Sequence, residues 1–308
     1  NQVFQSKKIS KIIIATTTLS EDNLISDYAT SKNMEGNVGL TFVSFGMMAA
    51  TGSLFGALVG GIIPMISSFA IAFIIFGILY GINAVWLWLF FCETLPKNKR
   101  NHKASLNPLL GITYIKKAFL GMGKPLTFLF CAYIFYRVGW QFFVNFSQLY
   151  IITRFNPPHA ETYIGALWIF GMIGYALLQY FINQPLNKLN LGKDKVMRVA
   201  LLIEGGLLLG SSFIPQLMPA FLIVGVLGIS ANAFNSSNSA AAIASLAPKD
   251  SKGYVLGCAQ AFQALAQLLA AITAAFLSDL YIPLPVMLAG ACIILAGIIL
   301  NLTYRWIR

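Results

Sequence analysis

The sequence predicts an all-α, polytopic membrane protein, and two observations carry that prediction. Of its 308 residues, 57% are hydrophobic and 10% are charged, whereas a soluble domain carries about 25% charged residues. The uncharged runs are long enough to cross a bilayer as helices, and short loops between them hold most of the basic residues. The net charge of +11 therefore reflects membrane topology, and we expect no nucleic-acid partner.

Nine apolar runs make up most of the chain. The first, 9–28, is the weakest because Glu21 and Asp22 interrupt it, and a charge at the centre of a span costs about 2.5–3.5 kcal/mol. The other eight runs are 38–63, 67–91, 125–152, 163–182, 196–213, 218–247, 254–278 and 284–304. Proline-marked turns at 156–159, 214–219 and 282–285 separate several of them. We predict that each run is a membrane helix.

Glycines recur every four residues in the span at 38–63. Gly52, Gly56 and Gly60 fall on one ridge of a helix, with Gly61 beside them. Small side chains along a ridge let a second membrane helix approach closely. We expect this ridge to pack against another helix, and contact with a ligand is the alternative.

A strongly basic loop at 93–124 divides the chain into three spans at 1–92 and a six-helix bundle at 125–308. Its seven Lys and Arg residues are Lys97, Lys99, Arg100, Lys103, Lys116, Lys117 and Lys124. If this linker is cytoplasmic, alternation of the spans puts sixteen of the 21 Lys and Arg residues in or beside cytoplasmic segments. The positive-inside rule then predicts a multi-pass protein of the cell (inner or plasma) membrane, with linker and C-terminus in the cytoplasm.

No pattern typical of an enzyme occurs in the sequence. It contains no Gly-rich phosphate loop and no GxSxG, HExxH or CxxC motif. The two histidines, His102 and His159, lie in predicted loops, and the four cysteines are dispersed among the apolar runs. We therefore expect no catalytic residue, no metal site and no cofactor.

One face of the span at 125–152 is polar. Its side chains are spaced 4, 4, 4 and 3 residues apart: Tyr133, Arg137, Gln141, Asn145 and Gln148. That spacing aligns them along a helix. Because unpaired polar groups are costly in hydrocarbon, we expect this stripe to line a central cavity and to bind a substrate.

Two charges lie deep inside long spans, and each needs a partner there. They are Arg137 and Glu204, the latter in the span at 196–213. One interpretation is a structural ion pair that ties two helices together. Another is that they bind a substrate or exchange a proton. Glu204 could also sit protonated at a helix interface.

Amide side chains mark two further helix faces. One carries Asn232, Asn235, Ser236 and Ser239, and the other carries Gln260, Gln263 and Gln267. Interhelical hydrogen bonds would account for both faces; substrate binding by Asn232, Asn235 and Gln263 is the alternative. We expect Trp168, Tyr175 and Gln179 to face lipid or the core. Asp22 is a candidate for a proton-exchanging carboxylate, unless it lies solvated near the membrane surface.

Three segments resemble motifs of one family. Residues 52–61, GSLFGALVGG, resemble the GPxxGPxxGG antiporter motif, although Ser53 and Ala57 replace its usual prolines. Residues 91–96, FCETLP, are typical of a sixth helix that runs into a central loop, and 184–193 resemble the cytoplasmic motif between helices eight and nine. The chain thus resembles a major facilitator superfamily transporter, nearest to the 12-helix proton-coupled drug antiporters, and matches their helices four to twelve.

This resemblance implies a two-bundle fold that lacks about three N-terminal helices, so a missing N-terminal part is an expected partner. It implies a secondary transporter in a lipid bilayer that exports small amphipathic compounds in exchange for protons. The glycines of 52–61 then form a conformational motif, and Arg137, Glu204 and Asp22 are candidates for proton coupling. Two alternatives stay open: uptake of a sugar or other polar nutrient, and a non-transporting fragment derived from a transporter.

Overall fold

The computed structural model describes residues 68–90, 123–188, 193–214, 217–247 and 252–307, with Gly52, Phe55, Gly56 and Ile63. The α-helices within these residues are α1 (Phe69–Phe90), α2 (Lys124–Tyr150), α3 (Ala160–Leu178), α4 (Gln184–Lys188), α5 (Lys193–Phe213), α6 (Met218–Leu246), α7 (Lys252–Leu280) and α8 (Leu284–Ile307). One π-helical turn, Ile151–Phe155, extends α2, and another, Gln179–Asn183, joins α3 to α4. The predicted span at 9–28 and nearly all of the basic linker lie outside the described residues.

Six described helical segments are long and apolar enough to cross a membrane: Ala70–Phe90, Lys124–Phe155, Ala160–Asn187, Met218–Leu246, Val255–Leu280 and Leu284–Leu302. Each overlaps a predicted span. The run at 196–213 is also helical, as α5 of 21 residues. The all-α, polytopic class is therefore confirmed. The run predicted at 163–182 is too short, because the helix continues to Asn187 with polar side chains that find partners on α6.

The same pattern of helix–helix contacts occurs twice in the bundle. Helix α6 packs mainly against α5 and α3, α2 packs mainly against α8 and α7, and α5 packs against α8. Exchanging α2 with α6, α3 with α7 and α5 with α8 reproduces the same pairs. If successive spans alternate in direction, helices three spans apart run oppositely, and this pattern of main pairs is the one expected of an inverted repeat of three helices.

Glycines let α8 approach both of its neighbours closely. A Cβ on Gly205 of α5 would lie 2.8 Å from the backbone nitrogen of Ile294 and 2.9 Å from the carbonyl oxygen of Gly290. A Cβ on Gly139 of α2 would lie 3.1 Å from Cβ of Cys292. Residue 205 thus faces α8, and the preceding residue, Glu204, points to another side of α5.

Aromatic rings join the end of α2 to the start of α6. The ring centroid of Phe221 lies 5.0 Å from that of Tyr150 and 5.6 Å from that of Phe155. Arg154 lies over the Tyr150 ring, and its Nη2 donates to the carbonyl oxygen of Ile214 over 3.4 Å. These contacts hold the ends of α2, α5 and α6 together on the side that the charge pattern predicts to be external.

Candidate functional site

A carboxylate lies wholly inside the bundle, between α5 and α6. Glu204 has an exposed fraction of 0%. Asn232 Nδ2 donates to its Oε1 over 3.0 Å, and Asn235 Nδ2 donates to its Oε2. The two asparagines are three residues apart, so they share the face of α6 that meets α5.

These two hydrogen bonds offset part of the free-energy cost of burying the Glu204 carboxylate. An unpartnered charge in a low-dielectric interior is strongly unfavourable, whereas hydrogen bonds to the charged form offset part of that cost. The two amides give Glu204 one donor for each oxygen. The site can therefore hold the ionised carboxylate, and a proton can neutralise it in place.

Arg137 of α2 contributes a positive charge to the surroundings of Glu204. Its guanidinium carbon lies 5.0 Å from the ring centroid of Tyr133 and 5.2 Å from that of Tyr136. Its charge also acts electrostatically on the Glu204 carboxylate. The hydrogen bonds that the structure describes to Glu204 nevertheless come from Asn232 and Asn235 of α6. The sequence did not decide which groups pair with Glu204, and these two asparagines are among them.

A small cavity adjoins this carboxylate site. It measures about 10 Å³ and is lined by Tyr133, Tyr136, Asn235 and Ser239, among others. The Tyr136 hydroxyl and the Asn235 Oδ1 are buried and have no hydrogen-bond partner within the described part of the chain. A volume of this size is near the smallest that holds one water molecule. The wall of the cavity is almost entirely apolar, so we interpret it as a small packing void beside the carboxylate site.

A second polar network joins α6 to the α3–α4 segment. Gln179 Nε2 donates to Ser237 Oγ over 3.1 Å, and Asn183 Nδ2 donates to the same oxygen over 3.0 Å. Asn187 Nδ2 donates to Asn238 Oδ1 over 3.1 Å, and Asn238 Nδ2 donates to Asn183 Oδ1 over 3.0 Å. These five side chains, at most 8% exposed, form what we call the amide ladder.

Sequence reasoning missed most of the amide ladder, although a signal was present. Gln179, Asn183 and Asn187 are spaced four residues apart, the same spacing that singled out the Arg137 stripe. Gln179 was expected to face either lipid or the core, and it lies in the core, since its exposed fraction is 0%. Tyr175, one helical turn earlier, shares a 2.6 Å hydrogen bond with Ser236 of α6.

The remaining sequence candidates lie in different surroundings. Gln141 is buried, Asn145 and Gln263 are half-buried, and Gln148 is exposed. The polar stripe on α2 is thus buried at Tyr133 and Gln141 and exposed at Gln148, the residue nearest the end of the helix. Gly52 and Gly56 are helical. Asp22, Gly60 and Gly61 lie outside the described residues.

Comparison with known proteins gives a family. The model for the Major Facilitator Superfamily matches residues 129–308. The structure of the human organic anion transporter MFSD10 (TETRAN) superposes with a TM-score of 0.68 at 17% identity, over 95% of this chain and 67% of that chain. The E. coli Fucose:proton symporter FucP superposes with a TM-score of 0.61 at 11% identity, over 87% of this chain and 69% of that chain. No curated protein sequence matches the chain.

The two structural similarities show a shared fold, since both identities are low. The family match covers more than half of the chain, including nearly all of the bundle from α2 to α8. A wholly buried carboxylate between two membrane-length helices agrees with a membrane transporter of this kind. The chain belongs to the Major Facilitator Superfamily.

Proposed function

We propose that the chain mediates proton-coupled secondary transport of small amphipathic compounds by alternating access, with Glu204 as the carboxylate that takes up and releases the proton. The observation that carries this proposal is the burial of Glu204 between two amides of α6. Ionisable residues inside membrane segments are rare because they are costly, and they mark substrate or proton pathways by default.

Protonation of Glu204 changes how strongly the Arg137 charge attracts a ligand. While Glu204 is ionised, its negative charge offsets the positive charge of Arg137 through their electrostatic interaction. Once a proton neutralises Glu204, the guanidinium charge is available to another anion, and charges interact strongly in this medium. A bound proton therefore favours an anionic ligand. A cationic ligand competes with the proton for Glu204, so binding of one releases the other, as proton exchange requires.

We infer that the substrate contacts aromatic rings and amides together. The proposed substrate-binding residues are Tyr133, Arg137, Gln141, Asn145, Gln148, Asn232, Asn235 and Gln263. Arg137, Glu204 and Asp22 are the proposed proton-coupling residues, and Gly52, Gly56, Gly60 and Gly61 form the proposed conformational motif. This combination of apolar and hydrogen-bonding surface suits a small amphipathic compound, exported in exchange for protons.

A specific observation favours a second candidate, proton-driven uptake of an anionic or polar solute such as a sugar. Arg137 lies over Tyr133 and Tyr136, and a guanidinium beside aromatic rings is suited to binding a carboxylate or a sugar hydroxyl. The two similar structures are an organic anion transporter and a Fucose:proton symporter. Both substrate classes therefore occur on this fold.

The test is proton movement in liposomes that contain the full chain and a pH-sensitive dye. A panel of cationic, neutral and anionic amphiphiles and of sugars is added outside. We expect at least one compound to cause proton movement, and its direction distinguishes exchange from symport. Glu204→Gln should remove this movement while the protein stays folded, because glutamine keeps the size and cannot exchange a proton.

The matched control is Glu161→Gln, since Glu161 is an exposed carboxylate beside His159, 3.7 Å away. It should leave proton movement unchanged. Absence of movement with every compound would contradict the proposal. Stable complexes with another membrane protein, in the absence of any flux, would instead favour a non-transporting role or a missing N-terminal part.

We also infer the orientation of the chain. The asymmetry of Lys and Arg residues supports a cytoplasmic linker at 93–124 and a cytoplasmic C-terminus in the cell (inner or plasma) membrane. The short turns after Phe155 and Phe213 then face outward. This puts the amide ladder in the cytoplasmic half of the bundle and the Phe221 cluster in the external half.

A further inference from the structure

A long apolar groove runs along the outside of the bundle, between the α3–α4 segment, α5 and α6. Its volume is about 650 Å³. Val199 and Ile203 of α5 and Leu227 of α6 line it and are 57%, 53% and 49% exposed. The groove therefore opens away from the buried Glu204 site and towards the surrounding membrane. Its volume falls within the range of about 300–1,000 Å³ that small-molecule sites have.

The groove is chemically polarised along its length. Lys195, in the first turn of α5, is the one charged side chain that lines it, and the other lining side chains are apolar. The N-terminal end of a helix adds a partial positive charge to the same end. One end of the groove thus favours an anion, and the remainder favours a hydrocarbon chain.

The length of the groove fits one leaflet of a bilayer. Along α5 it extends from Lys195 to Leu207, twelve residues that rise about 18 Å. Half of a hydrocarbon core is about 15 Å thick. Lys195 therefore lies at the depth of the phosphate groups when Leu207 lies near the bilayer centre.

We propose that this groove is a binding site for an anionic phospholipid of the leaflet on the Lys195 side. One acyl chain lies along α5 and α6, and the phosphate group contacts Lys195. The lipid also contacts Ile203, the neighbour of Glu204, so it braces α5 against α6. This inference does not depend on proton coupling.

The experiment measures lipid binding by the purified full chain in detergent. Phosphatidylglycerol or phosphatidylcholine with identical acyl chains is added, and bound lipid is counted by native mass spectrometry. We expect phosphatidylglycerol to bind in preference to phosphatidylcholine. Lys195→Glu should weaken phosphatidylglycerol binding about tenfold, because charge reversal replaces attraction by repulsion. Lys124→Glu is the matched control, since Lys124 is an exposed lysine at the start of α2, outside the groove, and it should not weaken binding.

A second variant tests the apolar part of the groove. Val199→Trp fills it from an exposed position and should reduce the binding of both lipids. Ile272→Trp, on a 64% exposed position of α7, is its control and should not. Equal binding of the two lipids by the unmodified protein, or no effect of Lys195→Glu, would overturn the proposal. A third result would also overturn it: an unmodified protein that is a dimer and that Val199→Trp converts to a monomer without loss of lipid, because a second copy would then be the occupant.

Discussion

Arg137 and Glu204 come from different helices, and each changes the electrostatic surroundings of the other. In hydrocarbon such a pair is stabilising only when both members have further partners. Glu204 has Asn232 and Asn235, and Arg137 has the faces of Tyr133 and Tyr136. Each charge thus has partners besides the other, so the effects of replacing Arg137 and Glu204 can be compared.

Arg137→Ala should abolish proton-coupled transport while membrane insertion and folding are kept. In the proposed mechanism the guanidinium is the positive charge that responds to protonation of Glu204, whereas the amides of α6 still hold the carboxylate in its absence. Flux in liposomes and thermal unfolding in detergent measure the two effects. Loss of folded protein in both Arg137→Ala and Glu204→Gln would instead identify a structural pair.

The amide ladder allows a prediction at the same scale. Asn183→Leu removes the oxygen that accepts from Asn238 Nδ2, and a buried polar group left without a partner costs about 1–3 kcal/mol. The thermal unfolding midpoint in detergent should fall accordingly. Ser245→Ala is the control on α6, because the exposed Ser245 hydroxyl bonds only within its own helix, to the Ala242 carbonyl. Equal midpoints for the two variants would contradict this role of the ladder.

At the scale of elements, the contact between α5 and α8 depends on the absence of a side chain. Gly205→Ala places a methyl group 2.8 Å from the Ile294 nitrogen, so the helices must separate, at a cost of about 1–3 kcal/mol. Gly206→Ala is the matched control, because a Cβ there would meet no described atom within 4 Å. We expect a lower unfolding midpoint for Gly205→Ala only, and the reverse order would contradict the close packing of α5 on α8.

At the scale of the whole molecule, orientation depends on charges in loops and not on the site. Reversal of Lys97, Lys99, Arg100 and Lys103 to Glu should disturb insertion or invert the topology, because the positive-inside rule acts on short loops beside the spans. Accessibility of the C-terminus to an added protease in sealed vesicles measures the outcome. A changed substrate range with unchanged topology would count against this account of the linker.

The sequence by itself determined the fold class and most of the spans. Long uncharged runs leave the chain little choice in a bilayer, since a backbone without water must satisfy its hydrogen bonds within a helix. The motifs at 52–61 and 91–96, read together with the basic linker, also indicated the family that the match over residues 129–308 confirms. Helical periodicity further identified the stripe with Arg137 and the face with Asn232 and Asn235, because spacing along one helix is a local property.

Only the tertiary structure decided which polar groups meet. Glu204 is 28 and 31 residues from the asparagines that bind it, and the bonds of the amide ladder that join α6 to Asn183 and Asn187 connect residues 51 to 55 positions apart. Contacts of that separation depend on which helices pack together and on their rotation, both fixed by close approaches such as that of Gly205 to α8. The lipid groove arises in the same way, because no single helix contains it and it exists only where α5 and α6 meet the α3–α4 segment.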